Sequence, residues 1–200
     1  MEIAGYILAG GKNRRMQGEK KLFLPWDGAT FLERIQETLC AFPAVYLSVE
    51  AVEPYQGLSL PLVLDVYPDA GPLGGICAGL GACPEDALFV TACDMPLLDR
   101  ESVERLCLAF RERPVLTLPE TDSGLQPLPG IYPRSILPEA ERLLKEKQYR
   151  LRALAERVEV NRVRLEETPL KNVNTPEEYR ELLKSGQKNH TGRGKEECFR

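Results

Sequence analysis

The chain has 200 residues, a length that suits one large domain better than two. Hydrophobic residues make up 43% of it and charged residues 28%, which is the composition of a globular protein with a sizeable core. There are 26 Lys and Arg against 30 Asp and Glu, so the net charge is −4, and a nucleic-acid-binding module, which needs a basic excess, is not expected.

Apolar runs and helical patterns alternate along the chain. Strands are predicted over 3–8, 45–49, 60–64, 87–92, 115–118 and 158–165. Helices are predicted over 32–39, 76–82, 103–110, 135–144, 151–155 and from 175 onward, with Thr30, Asp99, Ser135 and Thr175 as N-caps. The proline-containing stretch 125–132 is predicted to be a weak strand at best. The alternation predicts an α/β fold with a mainly parallel sheet.

The ends of the chain carry no membrane signal. No apolar stretch approaches the roughly 20 residues of a spanning helix, and no basic residue precedes the first apolar run. We therefore expect a cytoplasmic protein without a membrane partner. One domain is predicted over residues 1–184, followed by a polar tail, 185–200, that is expected to be disordered.

The turn after the first strand has the composition of a phosphate-binding loop. Gly10 and Gly11 let backbone N–H groups approach a ligand closely, and the cations Arg14, Arg15 and Lys20 follow within ten residues. Amide donors together with cations are what a triphosphate requires. The spacing matches neither a P-loop nor a dinucleotide fingerprint, and a flexible turn with solvated basic residues is the alternative interpretation.

Two carboxylates follow later strands. Asp65 ends the third strand, shortly before the segment Gly71-Pro72-Leu73-Gly74-Gly75, and Asp94 ends the fourth. In parallel sheets, ligands bind beyond the carboxyl ends of the strands, where carboxylate oxygens suit Mg²⁺. Each residue taken alone also fits a turn or a helix cap.

Four segments in this order resemble one known family. They are LAGGKNRRM with its downstream lysine, Asp65 with GPLGG, the CDMP turn and NVNTPEE. Together they resemble the molybdenum cofactor guanylyltransferases of the nucleotidyltransferase superfamily, from about residue 3 to residue 183. The resemblance implies a three-layer Rossmann-like nucleotidyltransferase fold with a mainly parallel, partly mixed central sheet.

The resemblance also implies an activity and partners. The family transfers GMP from Mg-GTP to molybdenum-molybdopterin, which forms molybdopterin guanine dinucleotide and pyrophosphate. The implied ligands are therefore Mg²⁺, GTP and molybdopterin. Other molybdenum cofactor biosynthesis proteins and molybdoenzyme chaperones are the implied protein partners.

Site residues are carried over by position in the matching segments. The implied nucleotide contacts are Leu8, Ala9, Gly10, Gly11, Lys20, Asp65, Gly74 and Asp94, and the motif on the pterin side is Asn172 and Asn174. Asp94 is the implied magnesium ligand, and Lys20, Arg15 and Asp94 are the implied catalytic residues. The family's RMGxDK has its glycine one place later here and glutamate in place of aspartate, so Lys21 stays an alternative to Lys20. Ser48 stands where some relatives have asparagine, so no role in base recognition is assigned to it.

Two alternatives to this activity remain open at the level of the sequence. A related cytidylyl or sugar-phosphate nucleotidyltransferase would share the fold and the mechanism. A GTP-binding accessory protein would bind the nucleotide without turnover. The only histidine, His190, lies in the polar tail, which fits a transfer that needs no histidine base.

Overall fold

The computed structural model describes residues 1–9, 21–67 and 69–186. Its strands are β1 (Ile3–Leu8), β2 (Pro25–Trp26), β3 (Ala29–Thr30), β4 (Val45–Val49), β5 (Leu62–Leu64), β6 (Ala87–Ala92), β7 (Leu116–Thr121), β8 (Gly124–Leu125), β9 (Gly130–Pro133) and β10 (Val160–Arg164). Its α-helices are α1 (Phe31–Thr38), α2 (Gly71–Ala82), α3 (Arg100–Glu112), α4 (Leu137–Lys145), α5 (Leu151–Arg157) and α6 (Pro176–Gly186). The order of strands and helices confirms the α/β class.

One large sheet organises the molecule. Seven of its strands lie in the order β10-β7-β9-β6-β1-β4-β5, and β8 pairs with β7 beside this path. All neighbours along the path are parallel except β9, which runs antiparallel to both β6 and β7. The predicted mainly parallel, partly mixed sheet is confirmed.

Helices cover both faces of the sheet, as the side chains of β1 make clear. Ile3 and Ile7 belong to a core that also contains residues of α1 and α3, whereas Ala4, Tyr6 and Leu8 belong to the core of α2, α4 and α5. Successive residues of a strand face opposite sides, so a strand covered on both sides reads as one continuous apolar run.

A third, smaller core joins the segment around α1 to the C-terminal part of the described chain. It consists of Leu24, Phe31, Val173 and Leu182, with Trp26, Leu97 and Tyr179 packed against it. The Tyr179 hydroxyl donates a hydrogen bond to the carbonyl oxygen of Pro25 at 2.6 Å. This core fixes the start of α6 against the segment that follows residue 20.

Helix α2 begins at Gly71, so the prediction that GPLGG is a turn ahead of a helix starting at residue 76 was wrong. The segment forms the first turns of the helix, with Pro72 in the first turn, where its missing N–H costs no hydrogen bond. A Cβ on Gly79 would lie 2.5 Å from the Tyr6 ring. The glycines therefore let the helix lie close against the sheet.

Two further predictions were wrong between β8 and α4. Residues Gly130–Pro133 form β9, a buried strand in the interior of the sheet, instead of a weak strand. Pro129 precedes it and Pro133 is its last residue, so both prolines avoid its middle, where a missing N–H would break the ladder. Ser135 is not an N-cap, because a 3-10 turn over Arg134–Ile136 leads into α4.

Local cap predictions hold at the other helices. Thr30 and Glu33 form the capping box of α1, and Asp99 accepts the Ser102 N–H at the start of α3. Helix α6 extends to Gly186, and residues 187–200 of the predicted tail lie outside the described residues. Within the described part of the chain, no helix combines the length and apolar character needed to cross a membrane.

Candidate active site

Backbone hydrogen bonds connect the carboxyl ends of four neighbouring strands. The N–H of Cys93, after β6, donates to the carbonyl of Leu8 at 3.0 Å, and the Ala9 N–H donates to the carbonyl of Ser48 at 3.0 Å. The Asp65 N–H donates to the carbonyl of Val49 at 2.8 Å. The residues that follow β1, β5 and β6 are therefore held at one edge of the sheet, as the sequence predicted.

A lysine, a carboxylate and an amide meet at this edge. The Lys21 ammonium lies 3.0 Å from Asp94 Oδ2 and 2.7 Å from Asn174 Oδ1. The side chains of Lys21 and Asp94 are only 13% and 15% exposed, so the ion pair is largely withdrawn from water. Three segments that are far apart in sequence thus form one charged cluster.

The loop before α6 is fixed to the Asp94 turn by its backbone. The Val173 N–H donates to the carbonyl of Asp94 at 2.8 Å. Glu178 Oε2 accepts the N–H groups of Asn174 and Thr175 at 2.6 and 2.9 Å, and these bonds lower the pKa of the Glu178 carboxyl. Asn174 therefore has little freedom to move away from Lys21. Asn172 is exposed and makes no side-chain hydrogen bond to the described residues.

Asp94 has the properties of a single-carboxylate metal ligand. Its Oδ1 is buried and accepts no hydrogen bond from the residues that the structure describes. A buried carboxylate oxygen without a donor is costly, and a hard divalent cation would satisfy it. Within the same described ranges, no group of three acidic, cysteine or histidine residues could hold a metal alone. The donor set fits Mg²⁺ bound by one carboxylate together with substrate phosphates.

A second carboxylate lies beside the N-terminal part of α2. Asp65 Oδ1 accepts the Tyr67 N–H at 2.9 Å, and burial raises the pKa of the Asp65 carboxyl. A Cβ built on Gly75 would lie 3.9 Å from Asp65 Oδ2 and 3.0 Å from the buried Ser48 hydroxyl. The Tyr6 hydroxyl donates to the Gly75 carbonyl at 2.8 Å and holds this turn of the helix against β1.

Gly74 packs closely against the residues just before α2, on the side where a side chain would project. A Cβ at this position would lie 2.9 Å from the Ala70 Cβ and 3.0 Å from the Tyr67 carbonyl oxygen. Close packing thus explains this glycine without a ligand, and its contact with a nucleotide stays a prediction.

The structure brings together part of the predicted site. Leu8, Ala9, Asp65, Asp94 and Asn174 lie on or beside the carboxyl edge of the sheet. Four predicted residues, Gly10, Gly11, Arg15 and Lys20, lie outside the described residues. The sequence indicates Lys21 only as an alternative to Lys20 and indicates no role for Ser48 or Gly75. The sequence does contain a signal that points to Ser48 as a site residue, because it is a polar residue near the end of an apolar strand.

Comparison with known proteins identifies the family. A family model described as the MobA-like NTP transferase domain matches residues 5–163. The chain belongs to the MobA-like NTP transferase family. The MobA-like chain is also similar over nearly its full length to individual proteins of this group.

Two relatives and two solved structures illustrate the similarity. Proteins of Carboxydothermus hydrogenoformans and Aquifex aeolicus are each 34% identical to the chain, over 89% of it and 93% and 89% of their own lengths. Both carry the name "Probable molybdenum cofactor guanylyltransferase". Molybdopterin-guanine dinucleotide biosynthesis protein A from Archaeoglobus fulgidus has 22% identity, a TM-score of 0.78, and coverage of 92% of this chain and 99% of its own.

The second solved structure carries the name of a cytidylyltransferase. It is 2-C-methyl-D-erythritol 4-phosphate cytidylyltransferase from Thermus thermophilus, with 20% identity, a TM-score of 0.71, and coverage of 94% of this chain and 100% of its own. At such identities the two structures establish the fold only. They place the MobA-like chain in the nucleotidyltransferase fold with its mixed, mainly parallel sheet.

Proposed function

We propose that the protein is a molybdenum cofactor guanylyltransferase that transfers GMP from GTP to molybdenum-molybdopterin. The observation that carries the proposal is the cluster of Lys21, Asp94 and Asn174 at the carboxyl edge of the sheet. In this cluster, the Asp94 carboxylate, which is suited to the metal ion of a metal-bound nucleotide, lies next to the loop of Asn174, which is assigned to the pterin. The names of the nearly full-length relatives support guanine as the base and molybdopterin as the acceptor.

In this proposal the nucleotide lies over the ends of β1, β4, β5 and β6. Asp65 accepts hydrogen bonds from the guanine base, and Leu8, Ala9, Gly10 and Gly11 contact the base and ribose. Gly74 lies in the α2 turns beside the base. Arg15 and Lys20 contribute positive charge at the phosphates, and Asn172 and Asn174 face the pterin.

The reaction is a displacement at the α-phosphorus of GTP. An oxygen of the acceptor's terminal phosphate forms the new bond, the bond from the α-phosphorus to the oxygen bridging to the β-phosphorus breaks, and pyrophosphate leaves with that electron pair. A phosphate monoester has a second pKa of about 6, so the attacking oxygen is already ionised at neutral pH and needs no general base. The protein has to hold the reactants in line and neutralise charge.

The site residues divide this work. Asp94 would hold Mg²⁺, which supplies charge neutralisation across the phosphates when it is bound. Lys20 and Arg15 would offset the negative charge that grows on the leaving pyrophosphate. The hydrogen bond from the Val173 N–H to the Asp94 carbonyl fixes the loop of Asn172 and Asn174 relative to the Asp94 carboxylate.

A nucleotide comparison tests the proposal directly. Purified protein with Mg²⁺ and molybdopterin is expected to release pyrophosphate with GTP and to release little with CTP or ATP. Pyrophosphate is measured with a coupled enzymatic assay. Release with CTP instead would assign the protein to the cytidylyl branch. GTP binding without any release would support an accessory protein and contradict the proposed activity.

Replacement of Asp65 by asparagine is expected to weaken the selection of guanine without lowering the stability of the protein. The amide still accepts the Tyr67 N–H, but it no longer offers a charged acceptor to the guanine N1–H and 2-amino groups. Hydrogen bonds to charged groups contribute about 1.5–3 kcal/mol, so the preference for GTP over ITP in kcat/KM should fall about tenfold or more.

The same variant should not destabilise the protein at neutral pH. Burial raises the pKa of Asp65 in the folded state, so its ionised form is disfavoured by folding and lowers stability once the pH exceeds its unfolded pKa. Urea unfolding at pH 7 should therefore show Asp65→Asn at least as stable as the wild type. An unchanged GTP-to-ITP ratio would remove Asp65 from the base site.

A further inference from the structure

We infer that Lys21 is a displaceable counter-ion that competes with the divalent cation for Asp94, and that Asn174 positions it. The inference rests on the proposed function, because it assumes that Asp94 binds the metal of a metal-nucleotide. Lys21 acts through its contact with the Asp94 carboxylate. Asn174 holds Lys21 in place, in addition to any contact with the pterin.

The ion pair with Lys21 offsets the cost of burying the Asp94 carboxylate. Asp94 Oδ2 is 3.0 Å from the Lys21 ammonium, and both side chains are largely buried. Asp94 Oδ1 is buried and accepts no hydrogen bond from the described residues. Among the residues that the structure describes, Lys21 therefore pairs with one oxygen of the carboxylate and none donates to the other.

A divalent cation and an ammonium cannot share this carboxylate without a cost. Two cations within a few ångströms repel each other, and the repulsion is strong where water is largely excluded. Binding of the cation at Asp94 must therefore weaken or break the contact with Lys21. In the absence of nucleotide, Lys21 should lower the affinity of the site for the cation.

Asn174 keeps the displaced ammonium nearby. Its Oδ1 lies 2.7 Å from Lys21 Nζ, and its backbone is held by Glu178. An ammonium has three N–H donors, so Lys21 can retain Asn174 while it exchanges Asp94 for a phosphate oxygen of the nucleotide. The nucleotide then relieves the competition, and cation and nucleotide strengthen each other's binding reciprocally.

The test is binding of Mn²⁺ alone to the full chain, measured from the electron paramagnetic resonance signal of free Mn²⁺. Lys21→Met, which removes the charge and keeps the length, is expected to bind Mn²⁺ about fivefold more tightly than the wild type, the scale of a modest ion pair. Lys171→Met is the matched control, since it removes an exposed lysine from the loop that carries Asn174. It should change the affinity less than twofold.

Two further variants make the result specific. Asn174→Ala should tighten Mn²⁺ binding by less than Lys21→Met does, because Lys21 stays but is less firmly held. Adding GTP without acceptor should strengthen Mn²⁺ binding more in the wild type than in Lys21→Met. Circular dichroism verifies folding of each variant, and Lys21→Gln replaces Lys21→Met if the latter does not fold.

The outcomes separate this inference from the proposed function. Equal or weaker Mn²⁺ binding by Lys21→Met would overturn the inference, as would an equal gain in Lys171→Met, which would indicate a general field effect. If Asp94→Asn loses Mn²⁺ binding while Lys21→Met behaves like the wild type, only the inference fails. If Asp94→Asn binds Mn²⁺ like the wild type, the metal site of the proposed function is wrong as well.

Discussion

Asp94→Asn is expected to lower the rate of pyrophosphate release by about 10²- to 10³-fold, the usual cost of removing an electrostatic catalytic group. The amide has nearly the shape of the carboxylate, so the turn after β6 should keep its structure. It lacks the negative charge that would hold a divalent cation and that pairs with Lys21. The measurement is pyrophosphate release with GTP and molybdopterin across a range of Mg²⁺ concentrations.

Asp86→Asn is the matched control for this experiment. Asp86 precedes the same strand, β6, at the end opposite to Asp94, and its carboxylate accepts the Glu2 N–H. Asparagine keeps an acceptor oxygen there, so turnover should stay within about twofold of the wild type, as for an ordinary surface substitution. Full Mg²⁺-dependent turnover in folded Asp94→Asn would remove Asp94 from the mechanism.

Gly79→Ala is expected to lower the free energy of unfolding by about 1–3 kcal/mol, the usual cost of overpacking a core. The added Cβ would lie 2.5 Å from the Tyr6 ring and 2.8 Å from Leu88 Cδ1. The contact cannot be relieved by one flexible side chain, because the Tyr6 ring is held at its hydroxyl by Gly75. Urea unfolding, with the slope m compared between variants, measures the change.

The same helix offers a control for the effect of helix propensity. A Cβ at Gly81 meets no atom within 4 Å, so Gly81→Ala adds a better helix former without a clash. It should raise the free energy of unfolding by about 0.5–1 kcal/mol. Similar changes in both variants would mean that α2 does not depend on its close approach to β1.

Features that depend on neighbouring residues were predictable from the sequence. The capping box at Thr30 and the cap at Asp99 each need only a side chain and an N–H group a few residues away. The buried strands β1 and β6 are apolar except for Thr91 in β6, because both of their faces are covered. Since β5 and β6 run parallel to the strands β1 and β4 between them, the positions of Asp65 and Asp94 at one edge followed as well.

Features that depend on distant partners were not predictable. Strand β9 has only four residues, and its place between β6 and β7 is set by pairing that a local pattern does not show. Lys20 and Lys21 are adjacent and chemically identical, so the sequence could not decide between them. The contact of Lys21 with Asn174 joins two segments that are far apart in sequence, and the third core holds the same two segments together through Leu24, Phe31, Val173 and Leu182.

That third core has a consequence for the order in which the protein becomes functional during synthesis. Lys21 and Asn174 are separated by 153 positions, and the third core is complete only when Val173 and Leu182, the latter from α6, pack against Leu24 and Phe31. A helix of this length is marginal without tertiary packing, so α6 forms as it docks. A nascent chain can therefore bury residues of the two larger cores before its charged cluster is complete.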